Sequence, residues 1–142
     1  MYNPDMSSTL PAAHELTVVI PVYNEAQALP HFLPELIGIC KIGKWQVILV
    51  NDGSKDDSAR ILGQFEHESH VKVLNHKVNR GYGGALKTGL SSARTRYVVT
   101  MDGDGQHRVS DLEAVFRFAL ENDADMVIGS RSSASGTPAS CT

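Results

Sequence analysis

Cysteine, long hydrophobic runs and excess basic charge are all scarce in this sequence. The 142-residue chain has two cysteines, Cys40 and Cys141, which lie far apart and have no metal-ligand spacing to a histidine. No apolar run approaches the roughly 20 residues that cross a bilayer, and residues 1–15 lack the basic and apolar regions of a signal peptide. The net charge is −3 and the pI is about 6.0, so the broad basic surface that duplex nucleic acid requires is missing. These absences predict a reduced, soluble, cytoplasmic protein that does not bind nucleic acid.

The motifs of covalent catalysis are also missing. The sequence has no G-x-S-x-G elbow and no Cys/His pairing, which argues against covalent nucleophilic chemistry. Its six histidines show no H-x-H or H-E-x-x-H spacing. Four of them are therefore predicted to be surface residues, namely His31, His67, His70 and His76. His107 is of more interest, because it stands beside a pair of aspartates.

The hydrophobic pattern predicts one α/β domain. With 42% apolar and 20% charged residues, the chain has an ordinary globular composition and a length typical of a single domain. Continuous β-branched apolar runs alternate with helical patterns, which is typical of βαβ crossovers and a mainly parallel sheet. In such sheets ligands bind beyond the carboxyl ends of the strands. The predicted strands are 16–22, 45–52, 71–76, 96–102 and 124–130, and the predicted helices are 29–40, 53–68, 81–93 and 110–120.

The sequence also makes predictions about the starts of two helices and about both ends of the chain. Pro34 lies inside the first helical pattern, so it must either kink the helix or mark a late start. Ser54 is placed to cap the second helix. Residues 1–15 are predicted to be a flexible segment and residues 132–142 a flexible polar tail, which leaves 16–131 as the folded part.

Polar clusters follow four of the predicted strands. Because the carboxyl ends of parallel strands meet at one edge of a sheet, side chains that are distant in sequence are expected around one ligand. The clusters are PVYNE (21–25), NDGS (51–54), MDGDGQH (101–107) and GSR (129–131), and the side chains expected to converge are Asn24, Glu25, Asp52, Asp102, Asp104 and Arg131.

Asp102 and Asp104 are separated by a single residue. Two carboxylates so close repel each other unless a cation or hydrogen-bond donors lie between them. Mg²⁺ or Mn²⁺ fits this arrangement, because a hard divalent cation takes oxygen ligands and bridges to substrate phosphates. Gly103 and Gly105 would let the backbone turn sharply beside such a ligand. The alternatives are an ordinary Asp/Gly turn and an EF-hand-like calcium loop, although that loop requires glycine where this sequence has His107.

The stretch NRGYGGALKTGL (79–90) places glycines at the predicted start of a helix. Free backbone N–H groups at Gly81, Gly83 and Gly84, together with the helix dipole, would favour an anionic group there, and Lys87 would add positive charge. The alternative is that the glycines allow close packing of the helix.

Three further polar residues each have two interpretations. Asp52 and Glu25 could accept hydrogen bonds from a base or ribose, or they could cap helices and compensate the helix dipole. Arg131 could pair bidentately with a phosphate, or it could simply be solvated.

The sequence resembles glycosyltransferase family 2, which has the GT-A fold, and within it the polyprenyl-phosphate sugar transferases of the dolichol-phosphate mannosyltransferase type. The resemblance covers about residues 16–131 and rests on VVIPVYNEAQALP, VILVNDGSKDDS, NRGYGGALKTGL, MDGDGQH and VIGSR, in the family's order. It implies that Asp102 and Asp104 hold the metal on the donor diphosphate, that Gln106 supports the metal or sugar site, and that Arg131 contacts phosphate. It also implies a set of residues around the nucleoside, namely Pro21, Tyr23, Glu25 and Asp52.

The function implied by the resemblance is transfer of a sugar with inversion. The donor would be GDP-mannose or a UDP-hexose, and the acceptor a dolichyl or other polyprenyl phosphate at a membrane surface. The family's domains extend well beyond the GSR region, so a GT-A sheet shortened at its carboxyl-terminal side is expected. The alternative is a catalytically incomplete module that binds a nucleotide sugar, and exposed apolar edges would then favour a homo-oligomer.

Overall fold

Six strands and three helices make up the described part of the protein. The computed structural model describes residues 16–102, the single positions 114, 117 and 121, and residues 126–128 and 139–141. In chain order the elements are β1 (Leu16–Val22), α1 (Leu29–Gly43), β2 (Gln46–Asn51), α2 (Ser58–Gly63), β3 (Val71–Asn75), α3 (Gly81–Ser92), β4 (Tyr97–Thr100), β5 (Met126–Ile128) and β6 (Ala139–Cys141).

The main sheet is parallel and has the strand order β3-β2-β1-β4. The chain builds outward from β1 through β2 to β3, and then crosses back to place β4 on the other side of β1. The strand order therefore reverses between β1 and β4. Such a reversal opens a crevice beyond the carboxyl ends of the strands, where open α/β sheets bind their ligands. The predicted α/β fold with a mainly parallel sheet is confirmed.

Helices cover both faces of β1, and all seven residues of the strand are buried. Alternate residues of a strand point to opposite faces, which explains why a continuous apolar run is needed here. The prediction of a central strand at 16–22 is confirmed. On one face Leu16, Val18, Ile20 and Val22 pack with the buried side chains of α1 and α2, whereas on the other face Val19, Ile48 and Val50 pack with Ala85 of α3.

Gly89 sets how closely α3 approaches the sheet. A Cβ atom at this position would lie 2.4 Å from Cγ1 of Val19 and 3.3 Å from Cγ2 of Val50. The helix backbone therefore rests almost directly on β1 and β2. For this glycine, close helix packing is the explanation that the structure supports.

The first predicted helix starts where the structure has it, and the second starts later than predicted. Helix α1 begins at Leu29 and continues through Pro34, so the interpretation of Pro34 as a late start is wrong. Pro34 lies on the exposed side of the helix. Helix α2 begins only at Ser58, and no side chain caps it. The cap predicted for Ser54 is wrong because its hydroxyl accepts a hydrogen bond from the Asn24 backbone N–H, at 2.9 Å, in the loop after β1.

The carboxyl-terminal strands form a separate antiparallel pair, β5 with β6. Met126–Ile128 confirms a strand within the predicted range 124–130. Ala139–Cys141 corrects the prediction that residues 132–142 are a polar tail without regular structure. Backbone hydrogen bonds alone can pair a strand of small polar residues, so the composition of this stretch was a poor guide. Most of the predicted helix at 110–120 lies outside the described residues.

Within the described part of the chain, no helix combines the length and the apolar character that crossing a bilayer requires.

Cys40 is predicted to be chemically inert in the folded protein. Its side chain is fully buried in α1, and burial raises the pKa of the thiol to about 12 from 9.0. The thiolate fraction at pH 8 then falls by about 1,000-fold relative to an ordinary thiol. A Cys141→Ser variant, which leaves Cys40 as the single thiol, should react with a disulfide reagent only after denaturant is added. Fast reaction without denaturant would contradict the burial of this residue.

Candidate functional site

A cavity of about 410 Å³ opens beyond the carboxyl ends of β1, β2 and β4, beside the start of α3. This is the place where the strand order reverses. Residues far apart in sequence therefore meet at one rim, and the predicted convergence is confirmed for Glu25, Asp52 and Asp102. The lining residues are Pro21, Val22, Tyr23, Glu25, Asp52, Asn79, Gly81, Tyr82, Ala85 and Asp102.

The residues predicted for the site divide into three groups. Six of them line this cavity, namely Pro21, Tyr23, Glu25, Asp52, Gly81 and Asp102. Lys87 is exposed on α3 and does not line it. Asp104, Gln106, His107 and Arg131 lie outside the described residues, so their roles stay predictions.

The Asp52 carboxylate is held by three hydrogen bonds from the protein. Its Oδ1 accepts from the Arg80 backbone N–H at 2.8 Å and from His76 Nδ1 at 2.7 Å. Its Oδ2 accepts from Asn79 Nδ2 at 3.1 Å. A carboxylate has about four acceptor positions, so Asp52 retains roughly one for a ligand. The bond to the Arg80 backbone connects Asp52 to the N-cap residue of α3, a helix that has no side-chain capping hydrogen bond.

His76 and His70 are buried, so the prediction that they are surface residues is wrong. His76 bridges Asp52 and Thr88, with its Nε2 2.7 Å from the Thr88 hydroxyl oxygen. His70 Nε2 lies 3.0 Å from the Ile37 carbonyl oxygen in α1. The sequence carried one usable signal for His76, because it stands at the end of a predicted strand, as the predicted site residue Asp52 does.

Gly53 lets the loop after β2 pack against the segment between β3 and α3. Its φ is +72°, a conformation that residues with a side chain rarely adopt. A Cβ atom here would lie 2.6 Å from the Asn79 backbone nitrogen and 2.7 Å from the Val78 carbonyl carbon. Only glycine fits between these backbones, and this contact brings Asn79 next to Asp52.

The loops after β1 and β2 are joined through Asn24. This residue has a φ of +54°, which asparagine tolerates better than most residues. Its backbone N–H donates to Ser54 Oγ at 2.9 Å, and its Oδ1 accepts from the Lys55 N–H at 2.8 Å. Asn24 therefore holds two strand ends together, and it does not line the cavity.

Asp56 and Ser58 also join the loop after β1 to the segment after β2. The Glu25 N–H donates to Ser58 Oγ at 2.9 Å, and the Ala26 N–H donates to Asp56 Oδ2 at 3.1 Å. Desolvation tends to raise the pKa of Asp56, but hydrogen bonds from Ser58 and from the Ala26 backbone outweigh it and lower the pKa below the ordinary value. The anionic form of Asp56 is thus the one that joins the loops.

Two tyrosine rings stand at the rim of the cavity. Tyr23 is 43% exposed and Tyr82 is 58% exposed. The Tyr82 hydroxyl donates to Asp102 Oδ1 at 3.1 Å, so the first turn of α3 is tied to the end of β4. Exposed aromatic faces beside a polar cavity offer a stacking surface for a planar ligand. Tyr82 was not predicted as a site residue, although it stands next to Gly81.

The cavity fits part of a magnesium or manganese site. Asp102 supplies a carboxylate at the rim, whereas Asp104 is outside the described residues. Among the described side chains, no group of three or more histidines, cysteines and acids is arranged to hold a metal. Mg²⁺ is commonly bound through one or two carboxylates plus substrate phosphates, and a single rim carboxylate beside a ligand-sized cavity is compatible with such a site.

An open parallel sheet with a cavity at the reversal of its strand order has the ligand-binding arrangement of open α/β proteins. The family model described as glycosyl transferase family 2 matches residues 17–141. The chain therefore belongs to glycosyl transferase family 2.

Curated relatives include lipid-phosphate sugar transferases. The chain is 34% identical over 130 residues to a dolichyl-phosphate beta-glucosyltransferase of Dictyostelium discoideum, a match that covers 82% of this chain and 40% of that protein. It is 36% identical over 110 residues to the undecaprenyl-phosphate 4-deoxy-4-formamido-L-arabinose transferase of Pectobacterium atrosepticum, covering 75% of this chain and 34% of that one. The chain thus spans well under half the length of these relatives.

A solved structure with a similar fold is the mannosyltransferase PcManGT from Pyrobaculum calidifontis in complex with GDP-Man and Mn²⁺. The TM-score is 0.64 at 23% identity, and the match covers 83% of this chain and 34% of that one. The likeness shows that the fold is of the GT-A type.

Proposed function

We propose that this chain carries the nucleotide-sugar site of a glycosyltransferase that moves a sugar, with inversion, from a GDP- or UDP-linked donor to a polyprenyl phosphate. One observation carries the proposal. Residues from three strand ends and from the start of α3 meet around a cavity of about 410 Å³, a volume within the range of roughly 300–1,000 Å³ for small-molecule sites. Membership of glycosyl transferase family 2 supports the reaction class.

The nucleoside would lie against the ends of β1 and β2. Asp52 has about one acceptor position left for a ring N–H or a ribose hydroxyl, and its three protein donors hold the carboxylate in place. Glu25 offers a second carboxylate at the rim, and Tyr23 offers a ring face. Pro21 completes this side of the cavity.

The diphosphate would lie toward β4 and the start of α3. Asp102, together with Asp104, would hold Mg²⁺ or Mn²⁺, which neutralises the charge that develops on the leaving diphosphate. The similar fold of PcManGT in complex with GDP-Man and Mn²⁺ supports this choice of cation. Gly81 would present a backbone N–H to a phosphate oxygen. Three more residues are proposed around the phosphates and sugar: Lys87, Gln106 and Arg131.

The acceptor would be a lipid phosphate, because relatives at 34% and 36% identity are named for dolichyl phosphate and undecaprenyl phosphate. A phosphate oxygen attacks the anomeric carbon as its bond to the diphosphate oxygen breaks, and the nucleoside diphosphate leaves. A phosphate is already anionic near pH 7, so this reaction needs no carboxylate base.

Titration with nucleotides and metals tests the proposal. UDP and GDP are each titrated into the chain with Mn²⁺, with Mg²⁺ and with EDTA, and binding is followed by calorimetry. We expect one of the two nucleotides to bind, with an affinity about 10-fold or more weaker in EDTA, as expected when a metal bridges ligand and protein.

The other outcomes separate the alternatives. Absence of binding by both nucleotides under all conditions contradicts the proposal. In the same titration with Ca²⁺, binding of the cation without any effect of nucleotide supports the calcium loop. In a transfer assay, nucleotide binding without transfer of sugar to a polyprenyl phosphate supports a binding module. Light scattering of the same samples tests the predicted homo-oligomer.

A further inference from the structure

We infer that His76 is a positioning residue for nucleoside binding: held by Thr88, it fixes the Asp52 carboxylate in the orientation that a nucleoside requires. The inference rests on the proposed function, since it concerns the same cavity. His76 itself does not line the cavity. It would act only through Asp52.

Three separate elements meet at His76. Its backbone N–H donates to the Asn51 carbonyl oxygen at 2.9 Å, at the end of β2. Its Nδ1 lies 2.7 Å from Asp52 Oδ1, and its Nε2 lies 2.7 Å from Thr88 Oγ1 on α3. The side chains of His76 and Asp52 are only 4% and 3% exposed. The pair is thus almost completely removed from water.

The chemistry of the partners places the proton on Nδ1. A carboxylate oxygen can only accept a hydrogen bond, so the Nδ1 atom must donate to Asp52. In a neutral imidazole, Nε2 is then an acceptor and the Thr88 hydroxyl donates to it. The Asp52 carboxylate therefore selects the tautomer, and the Thr88 hydroxyl, which can donate or accept, supplies a donor to Nε2.

Without His76 the Asp52 carboxylate would be less constrained. The terminal torsion of an aspartate side chain is soft and roughly two-fold, so the backbone N–H of Arg80 and the amide of Asn79 do not define one orientation as tightly as three donors do. His76 follows β3 and does not line the cavity, so its bond to Oδ1 holds Asp52 without using a residue of the cavity wall. About one acceptor position of the carboxylate then remains for a ligand.

Two substitutions of His76 distinguish loss of the hydrogen bond to Asp52 from loss of a buried ring. In His76→Asn the side-chain amide occupies about the position of Nδ1 and can still donate to Asp52, whereas in His76→Gln it extends toward Thr88. We expect the dissociation constant for UDP or GDP to rise by about 10-fold or more in H76Q, the effect of a lost hydrogen bond to a charged group, and by less than about 3-fold in H76N. Affinity for Mn²⁺-pyrophosphate, which lacks the nucleoside, should stay within about 2-fold in both variants.

Two further variants are needed: Thr88→Val tests the hydroxyl that holds His76, and Asn75→Ala is a control. T88V keeps the shape of the side chain, removes the hydroxyl that holds the His76 ring through Nε2, and should weaken nucleotide binding by about 3-fold to 10-fold. N75A removes the bond in which Asn51 Nδ2 donates to Asn75 Oδ1 at 3.0 Å. It breaks a link between the same two strands without touching Asp52, so nucleotide affinity should not change.

Each outcome decides the inference. Unchanged nucleotide binding in H76Q overturns it, as does an equal loss of nucleotide and pyrophosphate binding, which would indicate a purely structural role. Nitrogen-15 NMR of the wild-type chain should find His76 protonated at Nδ1, and a proton only at Nε2 would also overturn it. If wild-type protein binds pyrophosphate with Mn²⁺ but neither UDP nor GDP, the proposed function fails and this inference fails with it.

Discussion

Asp102→Asn is expected to remove metal-dependent nucleotide binding. The substitution keeps an oxygen that can accept the hydrogen bond from Tyr82, which is 3.1 Å from Asp102 Oδ1 in the wild-type chain. What it removes is the negative charge that a divalent cation needs. Loss of a partner that merely orients a metal ligand lowers metal affinity by about 10-fold to 100-fold. Loss of the ligand itself should therefore lower the affinity for Mn²⁺ by at least about 100-fold. Calorimetry with UDP and GDP in the presence of Mn²⁺ measures the effect.

The matched control is Asp57→Asn. Asp57 is an exposed aspartate that pairs with Arg60 at 3.2 Å, and it does not line the cavity. The same chemical change there should leave Mn²⁺-dependent binding within about 2-fold of wild type, because exposed ion pairs contribute little. If D102N and D57N bind nucleotide equally well, Asp102 is not a metal ligand.

Gly53→Ala is expected to have the largest effect on stability. The new methyl group would be 2.6 Å from the Asn79 backbone nitrogen, and the residue would have to keep a φ of +72°. Left-handed backbone costs roughly 1–2 kcal/mol for a residue with a side chain. The clash with backbone atoms adds to this, so the free energy of unfolding should fall by about 3 kcal/mol or more. Urea denaturation measures the loss.

Gly38→Ala is the comparison for this prediction. Gly38 lies in α1, and a Cβ atom there would meet nothing within 4 Å. Alanine favours helix over glycine by about 1 kcal/mol, so G38A should be neutral or slightly more stable than wild type. Equal urea midpoints for G53A and G38A would mean that the loop after β2 can move away from Asn79.

The strands were predictable because their signal is local. A strand covered on both faces is apolar at nearly every position, and LTVVIPV fits this apart from Thr17, whose buried hydroxyl is hydrogen-bonded to Thr95. The helix around Ser54 was harder to place. The sequence there matches a cap, but the hydroxyl is used by Asn24, which is 30 residues away. Local rules for capping cannot include a competing partner from another loop.

The candidate site was predictable in part for the same reason. Polar residues that follow buried strands lead to one edge of a parallel sheet, and Glu25, Asp52 and Asp102 meet there. His76 was missed because its one signal, the position at the end of a predicted strand, was not used, and the lack of metal-ligand spacing led to its prediction as a surface residue. Its environment is created by the β2 end and by α3, and these contacts exist only when the sheet is complete.

The α/β class, the order of the elements from β1 to β4 and the strand ends at which polar groups collect could all be predicted from the residues alone. These features follow from the periodicity of side chains along strands and helices, which each segment carries within itself. The assembled sheet was needed to establish which of those groups meet, that Asp52 is surrounded by three donors, and that Gly53 must be glycine. Such contacts depend on crossovers that bring residues 24 to 30 positions apart within hydrogen-bonding distance, and no local pattern encodes that distance.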